Sequence, residues 1–531
     1  MKNQPTMVSE EYLNSKEIIG ARIESGGFYG TVRFIGTIPN YAGKWYGIEW
    51  DDPSRGKHNG SINGLQYFQT KHATSGSFIR KEKINFGKTL IEALIGKYGK
   101  EENHTIKKIH EQQIINLQKQ IKAPFIEFVG FDKVSSKQSD FQSLEIVNVR
   151  GQFVSSIDKL EQLKSLFPNI RQLDLSKNLL TSWHDILDIC DQLPQLYLLN
   201  VSENMLVLPE NDQRIFPNIT VFICGHMNLT WQDIKILSAI FPNINELRAN
   251  NNNITELSCD KKHNFHNLEI LDLENNPIGS WDNIVNLKVI KSLQDLSIGG
   301  IGLDKIDFKT DSEKIDYFHN LTKLCISDNN INDWTSVSEL NRLPNLEELR
   351  FLNNPILNIE PIDTTVAIVV AKLGSLKVHN GRQLVGEFRI GDEFRRGCEY
   401  DYLKKYGLEW LRVKNTPERD RFLKEHNRYL TLIQLYGELE PEELKVENTS
   451  TLKNVLVSLN IIYDGKTVVK KVSPSMMIQK LKVLVQKLFK LDIIPELICL
   501  TDNNFEVPLD DDTKEINYFS VKNQDRILVK S

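Results

Sequence analysis

The 531-residue sequence has no apolar run approaching the ~20 residues needed to cross a bilayer, so no spanning helix is expected. Its opening stretch, Met1 to Tyr12, is polar and lacks the apolar core of a secretory leader. Cysteine is sparse: Cys190, Cys224, Cys259, Cys325, Cys398 and Cys499 are scattered, with no CxxC pair. No histidine pair stands at zinc-ligand spacing either, so neither a disulfide framework nor a metal site is indicated. Enzyme signatures are missing as well. There is no Gly-x-Ser-x-Gly elbow. Gly43-Lys44 is followed by Trp45, not Ser or Thr, so it is no P-loop. Gly26-Gly27-Phe28-Tyr29-Gly30 opens a β-rich segment, with no helix behind it to meet a phosphate. These absences point to a binding protein without catalytic residues, metal or cofactor.

Charge is present but uneven. The chain carries a net −5, yet residues 20–87 hold nine Lys or Arg against five Asp or Glu. A basic N-terminal module suits an acidic ligand. In that module apolar bursts alternate with glycine. Thr31-Val32-Arg33-Phe34-Ile35 and Tyr46-Gly47-Ile48-Glu49-Trp50 have strand composition, and glycines at 26, 27, 36, 43, 56, 60, 64 and 76 mark tight turns. A small, strongly bent β-barrel without a helix of any length is predicted. Its sharpest segment is Gly56-Lys57-His58-Asn59-Gly60, preceded by Gly43-Lys44-Trp45-Tyr46-Gly47-Ile48 and followed by Tyr67-Phe68 and Gly76-Ser77-Phe78-Ile79-Arg80.

This order resembles the CAP-Gly domain, whose hallmark is Gly-Lys-Asn-Asp-Gly. The resemblance implies an acidic C-terminal tail ending in an aromatic residue, as in α-tubulin, for a ligand. Lys57 and the free backbone N–H groups of the loop would meet its carboxylate. Trp45 and Phe78 would wall its terminal ring, while Phe68 is assigned to the core. The expected tail site is therefore Trp45, Gly56, Lys57, His58, Asn59, Gly60 and Phe78. His58-Asn59 replaces the hallmark Asn-Asp, which removes a carboxylate.

From residue 144 to 358 the pattern L-x-x-L-x-L-x-x-N-x-L recurs, clearest at Ile170, Leu173, Leu175, Asn178 and Leu180. Copies begin at Leu144, Ile170, Leu196, Ile219, Ile244, Leu268, Leu293, Leu321 and Leu346, the spacing of a leucine-rich-repeat solenoid. No single turn can bury its leucine face, so neighbours must stack. Asn178, Asn204, Asn252, Asn276, Asn329 and Asn354 are expected to form an internal ladder. Gln152, Met227 and Ile301 hold that place in the other copies, and the Met227 and Ile301 turns are predicted to be looser. Trp183, Trp231, Trp281 and Trp334 are assigned to the convex-side core. The functional surface is expected on the concave strand positions, represented by Asp174, Asn200, Arg248, Asp272, Lys323 and Arg350. Their mixed charge suits a protein surface rather than nucleic acid.

Residues 88–143 read as a helical connector, with helices over Thr89–Leu94 and Thr105–Ile121. Residues 359–412 read as a helical cap on the solenoid. Residues 413–452 read as a helix, Pro417 to Tyr436, followed by an acidic linker from Glu438. Residues 453–531 read as a domain of their own. There Val455–Tyr463 and Lys466–Val472 form a hairpin about Asp464-Gly465. A helix follows with Ile478, Leu481, Val485 and Leu488 on one face, and then strands at Leu497–Leu500 and Arg526–Val529. This order resembles ubiquitin; the chain ends Val529-Lys530-Ser531 without Gly-Gly, so a docking module is expected rather than a modifier.

The fold class is thus multidomain: a β-barrel, an α/β solenoid and an α+β β-grasp. Together with Arg395-Arg396-Gly397-Cys398-Glu399-Tyr400-Asp401-Tyr402, that order resembles the tubulin-folding cofactor E family. The resemblance implies a cytoplasmic, cytoskeleton-associated chaperone of α-tubulin, without nucleic-acid or membrane partners. With other tubulin-folding cofactors it would assemble and dismantle the αβ heterodimer. A microtubule-associated adaptor and a ubiquitin-pathway scaffold are the alternatives.

Overall fold

The computed structural model describes residues 19–99, 141–157, 161–209, 212–258, 265–310, 312–385, 390–444, 456–491, 493–500, 506–519 and 521–530. The predicted helix over Thr105–Ile121 lies outside them. The chain divides into two compact units, Met1–Asn253 and Ile254–Ser531.

In the first unit the glycine-rich segment folds as an antiparallel sheet of strands Arg22–Ser25, Phe28–Ile38, Tyr41–Trp50 and Gly76–Ile79. Alternation sends Ile23, Val32, Tyr46, Ile48 and Trp50 into one small core. A register shift between Val32 and Phe34 then places Ile35 opposite Tyr46 and Phe34 opposite Gly47. That bulge turns an extra aromatic onto the other face of the sheet.

The repeats of this unit contribute parallel strands Ile146–Asn148, Gln172–Asp174, Leu198–Asn200, Val221–Ile223 and Glu246–Arg248. Each middle residue, such as Leu173, Leu199 or Leu247, is fully buried. Helices Trp183–Gln192 and Trp231–Ile240 follow strands of the ladder. Ser182 caps the first through the His184 N–H, and Thr230 forms a capping box with Asp233 in the second. The tryptophans open these helices and are buried, as predicted.

The second unit continues the pattern with strands Ile270–Asp272, Asp295–Ser297, Lys323–Cys325, Glu348–Arg350 and Val378–His379. Trp281 and Trp334 begin helices capped by Ser280 and Asp333; Trp281 is buried and Trp334 half-buried.

The asparagine ladder forms in both units. Asn178 Nδ2 donates to the Leu175 and Val149 carbonyls at 2.8 and 3.0 Å, and its Oδ1 accepts from the Val154 N–H at 2.9 Å. The Met227 and Ile301 turns are not left unsatisfied. Asn252 Oδ1 accepts from Met227 and Leu229 N–H at 2.9 and 3.0 Å, and Asn329 Oδ1 accepts from Ile301 and Leu303 N–H at 3.1 and 3.0 Å. The asparagine of the next rung carries the bonds, so a missing rung residue does not loosen the turn's own N–H groups.

After the last repeat, the apolar helix Ile362–Lys372 packs under the long helix Ile390–Val413. The helix predicted over Pro417–Tyr436 is instead two, Arg419–Glu425 and Tyr429–Tyr436. The break has a cause: the Glu425 carbonyl accepts from Ser338 Oγ at 2.8 Å and from Lys372 Nζ, and Asn427 Nδ2 reaches the Ser338 carbonyl at 3.0 Å. The stretch from Glu438, read as linker, starts out packed: Leu439 and Leu444 are buried, and Glu438 accepts from Trp410 Nε1 at 2.7 Å.

The C-terminal domain is a mixed sheet in which Val457–Tyr463 pairs with the hairpin partner Lys466–Val472 and, in parallel, with Arg526–Lys530. Glu496–Leu500 and a short Glu506–Pro508 strand complete it, and helix Ile478–Phe489 covers one face through Ile478, Leu481 and Val485. This is the β-grasp of ubiquitin-like domains. No described helix is long and apolar enough to cross a membrane.

Candidate functional site

The Gly56–Gly60 loop is held against the edge strand Gly76–Ile79. Lys57 and His58 N–H groups donate to the Gly76 carbonyl at 2.7 and 3.2 Å, and Gly76 N–H returns a bond to His58 O at 2.7 Å. A β-carbon on Gly56 would collide with the Thr74 carbonyl, and one on Gly60, at φ +94°, with that of Phe68. Both positions therefore require glycine. The two residues that depart from the hallmark brace the loop. His58 Nδ1 accepts from Gly60 N–H at 3.0 Å, and Asn59 Oδ1 accepts from Ser61 Oγ at 2.6 Å. Burial pulls the His58 imidazole below the usual histidine range, which favours the neutral, accepting ring.

These bonds correct one expectation. The N–H groups of Lys57, His58, Gly60 and Ser61 are engaged within the module, so they are not free to meet a carboxylate. The exposed Lys57 ammonium remains for that task.

Phe78 sits at the centre of an aromatic cluster on the sheet face opposite the core. Its ring centroid lies 5.9 Å from Phe34, 5.5 Å from Tyr67, 5.4 Å from Phe68 and 5.2 Å from His58. Gly47 makes this possible, because a β-carbon there would strike both Phe68 and Phe34. Phe68 is buried, but within this cluster and not with Ile23, Val32, Tyr46, Ile48 and Trp50 in the core to which it was assigned, while Phe78 is half-buried. Trp45 is also half-buried but packs elsewhere, edge-on to Tyr41 at 6.1 Å and beneath the Arg80 guanidinium at 3.7 Å. Arg80 is fixed there by the Lys44 carbonyl at 3.0 Å and by Ala42 O. Sequence reasoning did not assign a role to Phe34, Tyr67 or Arg80. The signal for Arg80 is Gly43, whose φ of +76° and missing β-carbon leave room for the guanidinium. The site is thus a half-exposed aromatic platform next to the loop that carries the Lys57 cation, with the Arg80–Trp45 stack apart from it, and is suited to a short acidic peptide carrying an aromatic ring.

The concave-face residues divide. Asp174, Asn200 and Asp272 are buried, at 4%, 6% and 9% exposure, so they offer little to a partner. Each bends back to accept the N–H two residues on: Ser176 at 2.8 Å, Ser202 at 3.0 Å and Glu274 at 2.9 Å. A short Asx side chain at the last strand position closes the turn after it. Burial pushes the Asp174 carboxyl above the ordinary carboxylate range. Arg248 is half-buried and paired with Glu246 at 2.6 Å. Lys323 and Arg350 are exposed, Lys323 in a 3.7 Å ion pair with Glu348.

Of the six cysteines, Cys190, Cys224, Cys325, Cys398 and Cys499 are buried and form no disulfide among the described residues; Cys259 lies outside these.

Residues 19–84 match the CAP-Gly domain family. The chain is 34% identical to tubulin-specific chaperone E of Bos taurus, over 97% of this chain and 99% of that one. It is also 34% identical to tubulin-specific chaperone E of Homo sapiens, over 97% and 98%. Among solved structures, the C-terminal ubiquitin-like domain of mouse tubulin-specific chaperone E matches 16% of this chain and 93% of its own, at 25% identity and a TM-score of 0.14. Alignment across nearly the whole of both chains at this identity shows that the chain belongs to the tubulin-specific chaperone E family.

Proposed function

We propose that this protein is a tubulin-folding cofactor. Its CAP-Gly module holds the C-terminal tail of α-tubulin, its repeats hold the body, and it acts with other tubulin-folding cofactors to assemble and dismantle the αβ heterodimer in the cytoplasm. The observation that carries this reading is the end-to-end match with proteins named tubulin-specific chaperone E. The platform around Phe78, with Lys57 beside it, supports the tail assignment on independent chemical grounds.

Two measurements test it. In calorimetry, Lys57→Ala is expected to weaken binding of an α-tubulin tail peptide by at least ~1 kcal/mol, the scale of one lost charge-assisted bond, and Phe78→Ala by ~0.5–1.5 kcal/mol, the scale of one aromatic contact. Unchanged affinity in both variants removes the tail assignment. Mixing the protein and a partner cofactor with tubulin dimers is expected to give, on size exclusion, a complex holding α-tubulin without β-tubulin. Co-sedimentation with microtubules, with dimers left intact, favours the adaptor reading instead.

A further inference from the structure

The CAP-Gly module and the first repeats are joined without a linker. Phe86 still belongs to the module, with its ring 5.9 Å from Tyr46. Asn85 exchanges backbone bonds with Glu24 at 2.8 and 2.9 Å. Two residues after Phe86 the chain is already part of the solenoid: Lys88 N–H donates to the Phe153 carbonyl at 3.0 Å, and Lys88–Thr89 pairs in parallel with Val154–Ser156. Only Gly87 lies between. It stands at φ +86°, where a β-carbon would collide with Phe153 O and Ser155, and its N–H is held by Asn85 Oδ1 at 2.9 Å.

The helix that follows, Leu90–Tyr98, closes the open end of the repeats. Leu90, Ile91, Ala93 and Leu94 are buried, and Thr89 and Glu92 form a capping box. At its far end Lys97 Nζ donates to Asn148 O at 2.6 Å, and Tyr98 Oη accepts from Asn148 N–H at 2.9 Å. The module touches the repeats a second time where Tyr29 packs against Phe153, 6.3 Å between centroids. Residues 88–98, read from sequence as connector, are therefore the solenoid's N-terminal cap.

We infer that Gly87 is a rigid joint that sets the position of the CAP-Gly platform relative to the concave face of the first repeats, so that one client engages both at a fixed separation. This rests on the function proposed above. A flexible tether gives its second site an effective concentration set by linker length, typically millimolar. A fixed joint concentrates that probability at one geometry. It raises avidity for a client whose tail and body match, and lowers it for any other acidic tail.

The experiment uses the full-length chain. Spin labels at Glu82→Cys and Lys164→Cys, both exposed, in a Cys259→Ser background, report the distance across the joint. Wild-type spacing is expected to give one narrow distribution. Inserting about twelve Gly/Ser residues after Gly87 adds a coil of roughly 20 Å and is expected to broaden it. In the same variant, calorimetry with the tail peptide is expected to give an unchanged Kd, which also shows that the module is folded. Binding of the whole tubulin heterodimer is expected to weaken at least about tenfold. A broad distribution in the uninserted protein overturns the joint. So does a narrow one with equal tubulin affinity in both proteins, while peptide binding by both would leave the tail reading standing. If neither protein binds peptide, the tail reading falls and the spin-label distance alone decides whether the joint is rigid.

Discussion

Lys372 provides a test of how the solenoid cap is held. It ends the helix Ile362–Lys372 and is 1% exposed. Its Nζ donates to Ser338 Oγ at 2.9 Å and to the Glu425 carbonyl, and lies 5.9 Å from the Tyr402 ring centroid. Burial pulls the ammonium down to about 7, with Glu425 and Asp333 partly offsetting it. The unfolded chain binds this proton up to pH ~10.4, so between roughly 7 and 10.4 it holds more protons than the folded one. Stability therefore rises with pH through that window. Below pH 7 the folded state bears the full penalty, ~5 kcal/mol at 1.36 kcal/mol for each pH unit. Lys372→Met removes the charge and strands nothing, because Ser338 Oγ still donates to Glu425 O at 2.8 Å. The variant is expected to protect the amides of helix Ile362–Lys372 by ~1–4 kcal/mol at pH 6.5 in hydrogen exchange, with the gain fading toward pH 10. Equal protection in both proteins at pH 6.5, or a gain independent of pH, would refute the argument.

Two further outcomes are expected. Asn329→Ala removes Nδ2 bonds to Ile298 O and Ile326 O, at 2.9 and 3.1 Å, and strands the Ile301 and Leu303 N–H groups. At ~1–3 kcal/mol for each of the two orphaned donors, urea unfolding followed with exchange at Ile301 and Leu303 should show a loss of ~2–6 kcal/mol, and a loss below ~1 kcal/mol would count against the ladder. His58 must be neutral for Nδ1 to accept from Gly60 N–H, and its folded value is depressed, so its contribution is present at pH 7 and is lost as pH falls below ~6.5. Ring resonances titrating below the usual histidine range, with Gly60 exchange rising in parallel, are the expected NMR result; a ring already protonated at pH 7 would contradict it.

Periodicity made the repeats legible, because a buried face must recur with each turn. Leu173, Leu199 and Leu247 fall where the pattern puts them, and the tryptophans follow from the same logic. What periodicity cannot resolve is depth within a strand. Asp174 and Lys323 occupy strand positions of the same ladder, yet one is buried and the other exposed. The two stand at different ends of their strands: Asp174 at the last position, where Asn200, Ile223 and Cys325 are also buried, and Lys323 at the first, where Gln172 and Asp295 are half-buried. At the last position a short Asx reaches back to the next turn's N–H, whereas Arg350 there extends outward. The CAP-Gly loop shows a similar limit. Glycine spacing identified the loop, but whether its N–H groups point to a ligand or to Gly76 depends on pairing with a strand sixteen or more residues away.

The junction at Gly87 was hidden for a different reason. Residues 88–98 precede the first repeat strand by nearly fifty residues, and their polar surroundings read as a connector. A solenoid exposes the core of its first turn, and some element must cover it. Leu90, Ile91, Ala93 and Leu94 supply that cover. The apolar end of the repeats thus recruits the chain immediately after the CAP-Gly module, and the shortness of Asn85-Phe86-Gly87-Lys88 makes the mounting stiff. If the same residues were merely a linker, nothing would require Gly87 to adopt a left-handed conformation against Phe153. The glycine there is best explained by the close approach of two domains that bind as one surface.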